Sequence, residues 1–383
     1  MTTIYQAIII GAGQAGLAAA HELARRGLAP GADFLLLDAN PGPGGAWRHR
    51  WDSLTLGRAH GIADLPGLKM KRPDRGVPAS RLVTDYYGAY EDTFQLQTVR
   101  PVQVSRVEPV GDELVRTTSA DGRSWLSRMV LNATGTWTNP YIPYLPGIET
   151  FRGTQLHTRD YVRAGDFTGK KTLVVGGGLS AVQFLLELAP VTETVWATRR
   201  PPNFTAREFD AGWGLAVEKA VRERTHAGET PASVVRTTGI PQLPEYLRGV
   251  EEGTLVSRGM IDRIDAGKVR FGPPLSARAQ GLGPSADGEL AVPESWDPFP
   301  TGHVEEVDVI FWNTGFRAAL RHLAPMKLRS RGGIKMLDEV TPAADPRVLL
   351  VGYGSTASTV GATRAGRMAG RVAWKRLRER RGA

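Results

Sequence analysis

The sequence predicts an α/β fold with two Rossmann-like units, and three observations predict it. Gly11-Ala12-Gly13-Gln14-Ala15-Gly16 follows an apolar run at residues 7–10, and Gly176-Gly177-Gly178-Leu179-Ser180-Ala181 follows a second run at 172–175. Each pattern also stands between a β-branched strand and a small-residue helix, the context in which short glycine patterns carry meaning. The first glycine permits the tight turn and the second lets the backbone approach a pyrophosphate. The third position, Gly16 or Ala181, must be small so that helix and strand can close-pack. The pyrophosphate then rests on free N–H groups at a helix N-terminus, where the macrodipole favours an anion. Gly11, Gly13, Gln14, Ala15 and Gly16 are therefore candidate contacts to one dinucleotide, and Gly176, Gly178 and Ser180 to another.

The first unit reads strand, helix, strand over residues 7–10, 15–26 and 34–37. Asp38 ends the second strand, where an acid can accept hydrogen bonds from a ribose diol. A turn-rich loop at 41–45 leads into Trp47-Arg48-His49-Arg50-Trp51. Residues 80–94 read as a helix, and 95–133 alternate in strand fashion with Asp121-Gly122 as a hairpin turn. Residues 138–147 contain three prolines and no helical period, so they read as an extended linker. Residues 171–200 form the second strand–helix–strand unit, whose last strand ends in Thr198-Arg199-Arg200 with no acid at the ribose position. A guanidinium offers a planar fork of donors that matches a 2′-phosphate, so Arg199 and Arg200 predict NADPH. Residues 203–300 are irregular, with helical stretches near 216–225 and 243–251 and a Gly/Pro/Ser-rich stretch at 272–300. A region of this length is expected to be a substrate-covering or lid segment. Strands return at 307–312 and 348–351, and a last helix starts near 358 with Ser358 or Thr359 as its N-cap.

Composition removes several classes. At 383 residues and 41% hydrophobic, the chain can bury a large core. It contains no cysteine, so a disulfide relay, thiolate metal sites and cysteine nucleophiles are all outside its chemistry. No metal-ligand spacing, Ser/His/Asp array or paired catalytic carboxylates stand out, which fits a cofactor that carries the chemistry itself. The net charge is +9, but the basic residues are scattered apart from a cluster at 371–381. A solvated helix face and attraction for nucleotide phosphates account for that balance without nucleic acid. No stretch reaches the roughly 18 apolar residues of a membrane span, and the N-terminal run leads straight into the glycine turn without the features of a secretory signal. A cytoplasmic protein is expected.

Between the glycine patterns stands Phe151-x-Gly153-x-x-x-His157-x-x-x-Tyr161, which resembles the signature of class B flavin-dependent monooxygenases. Gly44-Gly45-Ala46-Trp47 is similar to that family's GGxW segment. Asn132-Ala133-Thr134-Gly135 is similar to its first ATG motif, and Asp308-x-x-x-Trp312-Asn313-Thr314-Gly315-Phe316 to its second. Arg50-Trp51-Asp52-Ser53-Leu54-Thr55-Leu56, with Leu65-Pro66-Gly67 downstream, looks like the plant indole-3-pyruvate monooxygenases and their bacterial relatives. Some positions depart from the pattern. The signature ends in Tyr161-Val162 rather than the Baeyer–Villiger form, and Asn313 replaces an alanine. No asparagine lies between Ser53 and Asp64, where Arg58 and His60 are the polar groups and so the candidate catalytic ones.

The resemblance implies an NADPH domain inserted into an FAD domain: residues 1–150 and 307–383 for FAD, 151–306 for NADPH. It places Asp38, Gly45, Trp47, Thr134, Gly135 and Gly315 along the cofactors, with Val104 giving backbone bonds to adenine. Ser358 would begin a helix aimed at the flavin pyrimidine edge. His157 is expected to organise the NADPH-domain hinge rather than transfer a proton. The expected reaction is NADPH-dependent insertion of one oxygen atom of O2 into a small molecule, at N, S or C, through a C4a-hydroperoxyflavin. The alternatives are a flavin reductase or oxidase passing electrons to a partner or to O2, and a non-catalytic redox sensor. Expected partners are a small-molecule substrate and O2, with no nucleic acid, no membrane and no metal; a homodimer is one option for the assembly.

Overall fold

The apolar run before the first glycine turn is strand β1 (Ile4–Ile10) in the computed structural model, which describes residues 3–59, 62–206, 219, 221–231, 239–274, 290–330 and 332–381. Helix α1 (Gln14–Arg25) follows, and its alanines, good helix formers, let it lie close to the sheet. Strand β2 (Phe34–Leu37) runs parallel to β1, with Ala7 opposite Phe34 and Ile10 opposite Leu37. After helix α2 (Ala79–Thr93) come the antiparallel strands β3 (Val104–Val110), β4 (Leu114–Ser119) and β5 (Ser124–Asn132). Gly111 and Gly122 make the two turns with φ of 57° and 89°, a region glycine enters without a Cβ penalty. Strand β5 also runs parallel to β1, so the sheet order is β2-β1-β5-β4-β3.

The next unit begins with β6 (Thr154–His157), β7 (Lys171–Val175), helix α3 (Leu179–Leu188) and β8 (Glu193–Ala197). Two short strands, β9 (Phe204–Thr205) and β10 (Ile240–Pro241), pair in parallel, and helix α4 (Pro244–Glu251) follows. Strands β11 (Ile261–Asp265), β12 (Lys268–Phe271) and β13 (Val304–Glu306) make an antiparallel sheet. Strand β14 (Val309–Trp312) then enters between β6 and β7, giving a parallel sheet of order β6-β14-β7-β8. The chain returns to the first sheet with β15 (Val348–Leu350), which pairs with the second half of β5, and ends in helix α5 (Thr359–Arg381).

By its contacts the chain divides into two compact units, one of Met1–Asn139, Ala216–Ala232 and Ala318–Ala383, the other of Pro140–Leu215 and Ser233–Arg317. The division by contacts falls at 139/140 and 317/318, beside the expected 150/151 and 306/307. The run at 309–312 belongs to the second unit, because four consecutive buried residues need a strand on each side and find β6 and β7. Residues 221–226 are helical and their segment belongs to the first unit, where Thr225 accepts from the Met336 N–H at 3.0 Å. The lid expected over 203–300 is, across its described residues, largely built structure: α4 and the β11–β12 hairpin pack on their own unit. Val269 and Phe271 alternate inward along β12 and join Ile261 and Ile264 in the core beneath the sheet.

Candidate functional site

Each glycine turn sits where a parallel strand ends beside its neighbour, the crevice in which open α/β sheets bind ligands. Gly11 has φ of 102°, and its N–H donates to the Leu37 carbonyl at 2.7 Å. A Cβ there would lie 2.5 Å from the Ala133 carbonyl oxygen, and one at Gly16 would lie 1.8 Å from the Gly11 carbonyl oxygen. The protein's own packing requires these two glycines. Gly13 differs. Its backbone is extended, with φ of −89°, and a Cβ there would meet only the Gly45 Cα, at 3.9 Å. No protein atom crowds a side chain at Gly13, which leaves its backbone open to a ligand. Gly45 covers the turn from the other side, since a Cβ on it would lie 2.8 Å from the Gly13 Cα.

Asp38 is buried, its Oδ2 accepting the Ala12 N–H at 2.6 Å and its Oδ1 the Asn40 N–H at 2.7 Å. A carboxylate offers about four acceptor positions, so Asp38 can brace the turn and still receive a ribose hydroxyl. The first N–H groups of α1, at Gln14, Ala15 and Gly16, have no partner inside the helix. The Gln14 side chain is otherwise engaged: it donates to the Ala63 carbonyl at 2.9 Å and to Thr363 Oγ1 at 2.8 Å, and accepts from the Tyr87 hydroxyl. Its contact to a phosphate would therefore come from the backbone. This cradle, a turn open over Gly13 and closed by a buried acid, fits the adenosine diphosphate half of FAD.

The remaining expected contacts of the first unit fall into three groups. Trp47 packs half-buried against the core, and Val104 opens β3 opposite Ser119. Thr134 Oγ1 donates to the Ala319 carbonyl at 2.7 Å, and the Gly135 carbonyl accepts the Ala319 N–H, so this motif ties the end of β5 to the returning chain. Ser358 is the N-cap of α5, its Oγ accepting the Gly361 N–H at 3.0 Å. Arg58 is exposed on a turn, its N–H bonded to the Thr55 carbonyl at 3.0 Å. His60 lies outside the described residues.

The second turn repeats the first. Gly176 has φ of 144°, donates to the Ala197 carbonyl at 3.0 Å, and would place a Cβ 2.2 Å from the Asn313 carbonyl oxygen. Asn313 thus stands to Gly176 as Ala133 stands to Gly11. Gly178 begins α3 without a side-chain cap, and Ser180 lies inside the first turn. Ala181 is fully buried. Beyond β8, buried Thr198 hydrogen-bonds Ser257 Oγ at 2.6 Å and the Arg200 carbonyl at 2.5 Å. That pins the turn from which Arg199 projects, exposed, with Arg200 half-buried beside it.

The signature residues fasten β6 to β14. A Cβ on Gly153 would lie 2.2 Å from the Asp308 carbonyl oxygen, which accepts the Thr154 N–H at 2.9 Å. His157 Nε2 is 3.0 Å from the Gly315 carbonyl, so that nitrogen carries the proton, and the ring meets Phe316 edge-on. Burial lowers the His157 pKa, which keeps the imidazole neutral. Tyr161 donates to Glu187 at 2.7 Å and stacks on Phe311. His157 and Gly315 are thereby brought together by packing.

Two groups were missed in the sequence reading. Arg50 lies among Trp47, Trp51 and Trp137, its guanidinium carbon 4.1 Å from the Trp137 ring centre. The flanking tryptophans of Trp47-Arg48-His49-Arg50-Trp51 were the available signal. The second is buried His322, whose Nε2 bonds Asn132 Oδ1 at 2.6 Å, a pair separated by 190 positions with no motif to announce it.

The profile of the family described as "Pyridine nucleotide-disulphide oxidoreductase" matches residues 8–230. A solved flavin-containing monooxygenase from Stenotrophomonas maltophilia is 31% identical, with 98% of this chain and 99% of that one covered and a TM-score of 0.75. An indole-3-pyruvate monooxygenase of Oryza sativa subsp. japonica is 32% identical over 49% of this chain and 46% of its own length. An uncharacterized CzcO-like oxidoreductase of Geobacillus kaustophilus is 30% identical over 55% of this chain and 58% of its own. The chain thus spans about half the length of the curated relatives it matches. The two glycine turns, the motifs between them and these likenesses agree: the chain belongs to the pyridine nucleotide-disulphide oxidoreductase family and, within it, to the class B flavin-dependent monooxygenases.

Proposed function

We propose that the chain is an NADPH-dependent, FAD-containing monooxygenase that transfers one oxygen atom of O2 to a small-molecule substrate, at N, S or C. The observation that carries this reading is the duplicated turn with two different endings, buried Asp38 in one unit and exposed Arg199 in the other. An acid suits a free ribose diol and a guanidinium suits a 2′-phosphate, so the two turns take two different dinucleotides. FAD would be held by the turn at Gly11 to Gly16, by Asp38, and by Gly45 and Trp47; it supplies hydride acceptance and oxygen activation when bound. NADPH would lie against Gly176 to Gly178, with Arg199 or Arg200 reading its 2′-phosphate. Electrons taken from NADPH meet no disulfide within this chain, since it has no cysteine. Arg58 and His60 stand in this reading as the candidate catalytic polar groups.

The test is to reduce the holoenzyme with NADPH anaerobically, mix it with O2 and follow flavin absorbance. The reading expects reoxidation in two resolved steps, the second accelerated by an oxidisable thioether, an amine or a 2-oxo acid. The name of the rice relative makes indole-3-pyruvate a first substrate to assay. Single-step reoxidation with stoichiometric peroxide, whatever the substrate, would indicate an oxidase or reductase instead.

A further inference from the structure

We propose that Arg50 is the counterion for an anionic part of bound FAD, a role that rests on the assignment of FAD to the first glycine turn. Its guanidinium is enclosed by the rings of Trp47, Trp51 and Trp137, at 5.9, 5.8 and 4.1 Å. Trp51 and Trp137 are each 8% exposed, so the enclosure shields the inner part of the half-buried Arg50 side chain from solvent. Aromatic faces attract a cation, but they do not replace the hydrogen bonds that a guanidinium's five N–H groups require. Arg50 Nε is buried without a partner, and among the described residues no carboxylate pairs with this side chain. A buried guanidinium N–H left without a partner is costly, and a counter-charge brought against it removes that cost.

The position of the enclosure says which counter-charge that is. Trp47 stands two residues after Gly45, whose Cα packs on Gly13. Trp137 stands four residues after Ala133, whose carbonyl packs on Gly11. Both walls are thus carried by segments that close on the FAD turn, and the anion that turn receives is part of the cofactor. Burial has already pushed the Arg50 pKa down to about 10, still far above neutrality, so the group remains a cation awaiting its partner. FAD brings two anions of the same chemistry: the diphosphate, present in either redox state, and the pyrimidine edge, which becomes anionic on reduction.

The experiment compares wild type, Arg50→Met and Arg50→Lys as FAD-free proteins titrated with FAD. Dye-equilibrium measurement of the bound flavin's potential accompanies the titration, and thermal melts are run with and without FAD. Removing a charged hydrogen bond weakens binding roughly ten- to hundredfold, and Arg50→Met should lose that much affinity while Arg50→Lys regains part of it. An equal loss in both redox states assigns the diphosphate. A loss confined to reduced FAD assigns the pyrimidine edge and lowers the potential by about 30 mV for each tenfold. The FAD-free Arg50→Met protein should melt no lower than FAD-free wild type, because the substitution removes an unpaired buried charge. Unchanged FAD affinity in both redox states, or a melting loss in Arg50→Met of equal size with and without FAD, would show a packing role and overturn the proposal. Failure of wild type to bind FAD would instead overturn the cofactor assignment, and Arg50's role with it.

Discussion

Gly13 and Gly16 stand three residues apart and answer to different demands. A methyl at Gly16 collides with the Gly11 carbonyl, whereas one at Gly13 reaches only a Gly45 Cα at 3.9 Å. Gly13→Ala should therefore fold with a melting temperature close to that of FAD-free wild type and purify without FAD. Gly16→Ala should lose stability with or without the cofactor. FAD content and the melting curve of each variant check this, and a fully loaded Gly13→Ala protein would remove the diphosphate from this turn. The sequence pattern already assigns the two demands, ligand approach at Gly13 and close packing at Gly16; Gly13 has φ of −89°, so backbone strain is no part of its requirement. Arg199 carries the second prediction at this scale. NADPH and NADH differ only in the 2′-phosphate, and a charged hydrogen bond contributes about 1.5–3 kcal/mol. Arg199→Ala should lower kcat/KM for NADPH roughly ten- to hundredfold and leave NADH nearly unchanged, with anaerobic flavin reduction as the measurement. Equal changes for both cofactors in Arg199→Ala, Arg200→Ala and the double variant would show that neither arginine touches that phosphate.

At the scale of elements, strand–turn–helix periodicity was legible wherever an apolar run met a glycine turn, as at β1–α1 and β7–α3. It failed where the partner of a strand was remote. The β14 run was read as a strand, but only its register against Thr154–His157 and Lys171–Val175 says which sheet it joins. The β11–β12 hairpin was hidden by charges on its outward face, although inward residues alternated with them. Helix α5 shows a third limit, because helix propensity counts against Gly366 and Gly370, whereas both lie on its contact face. A Cβ on Gly366 would lie 2.4 Å from the Ala15 carbonyl oxygen, and one on Gly370 would lie 2.7 Å from the Glu22 Cβ. Helix propensity alone says that Gly366→Ala stabilises by up to about 1 kcal/mol. Overpacking against α1 says that it destabilises by about 1–3 kcal/mol. The packing argument should win because the opposing atom is backbone, and a raised denaturant midpoint for Gly366→Ala would refute it.

For the whole molecule, the measurable consequence of burial is acid sensitivity, and His322 dominates it. Burial pushes this imidazole down to about 4, from the 6.5 it has in an unfolded chain. The folded protein keeps it neutral because burial penalises the charged form, while Nε2–H donates to Asn132 Oδ1. Below about pH 6.5 the unfolded chain takes up a proton that the folded one refuses, so stability falls with pH until the folded pKa is reached. Between about pH 7.5 and pH 5 this single group should cost about 2 kcal/mol, from 1.36 kcal/mol per pKa unit. Burial lowers the pKa of His21 and His157 as well, which adds to the slope with the same sign. His322→Gln keeps an N–H donor for Asn132 and removes the titration. Denaturant unfolding of wild type and His322→Gln at the two pH values should therefore show a smaller acid loss in the variant, by about 2 kcal/mol, while both remain folded at pH 7.5. Identical acid losses would mean that His322 takes up its proton in the folded protein over the same pH range as in the unfolded chain, and that the Asn132 contact tolerates the charge.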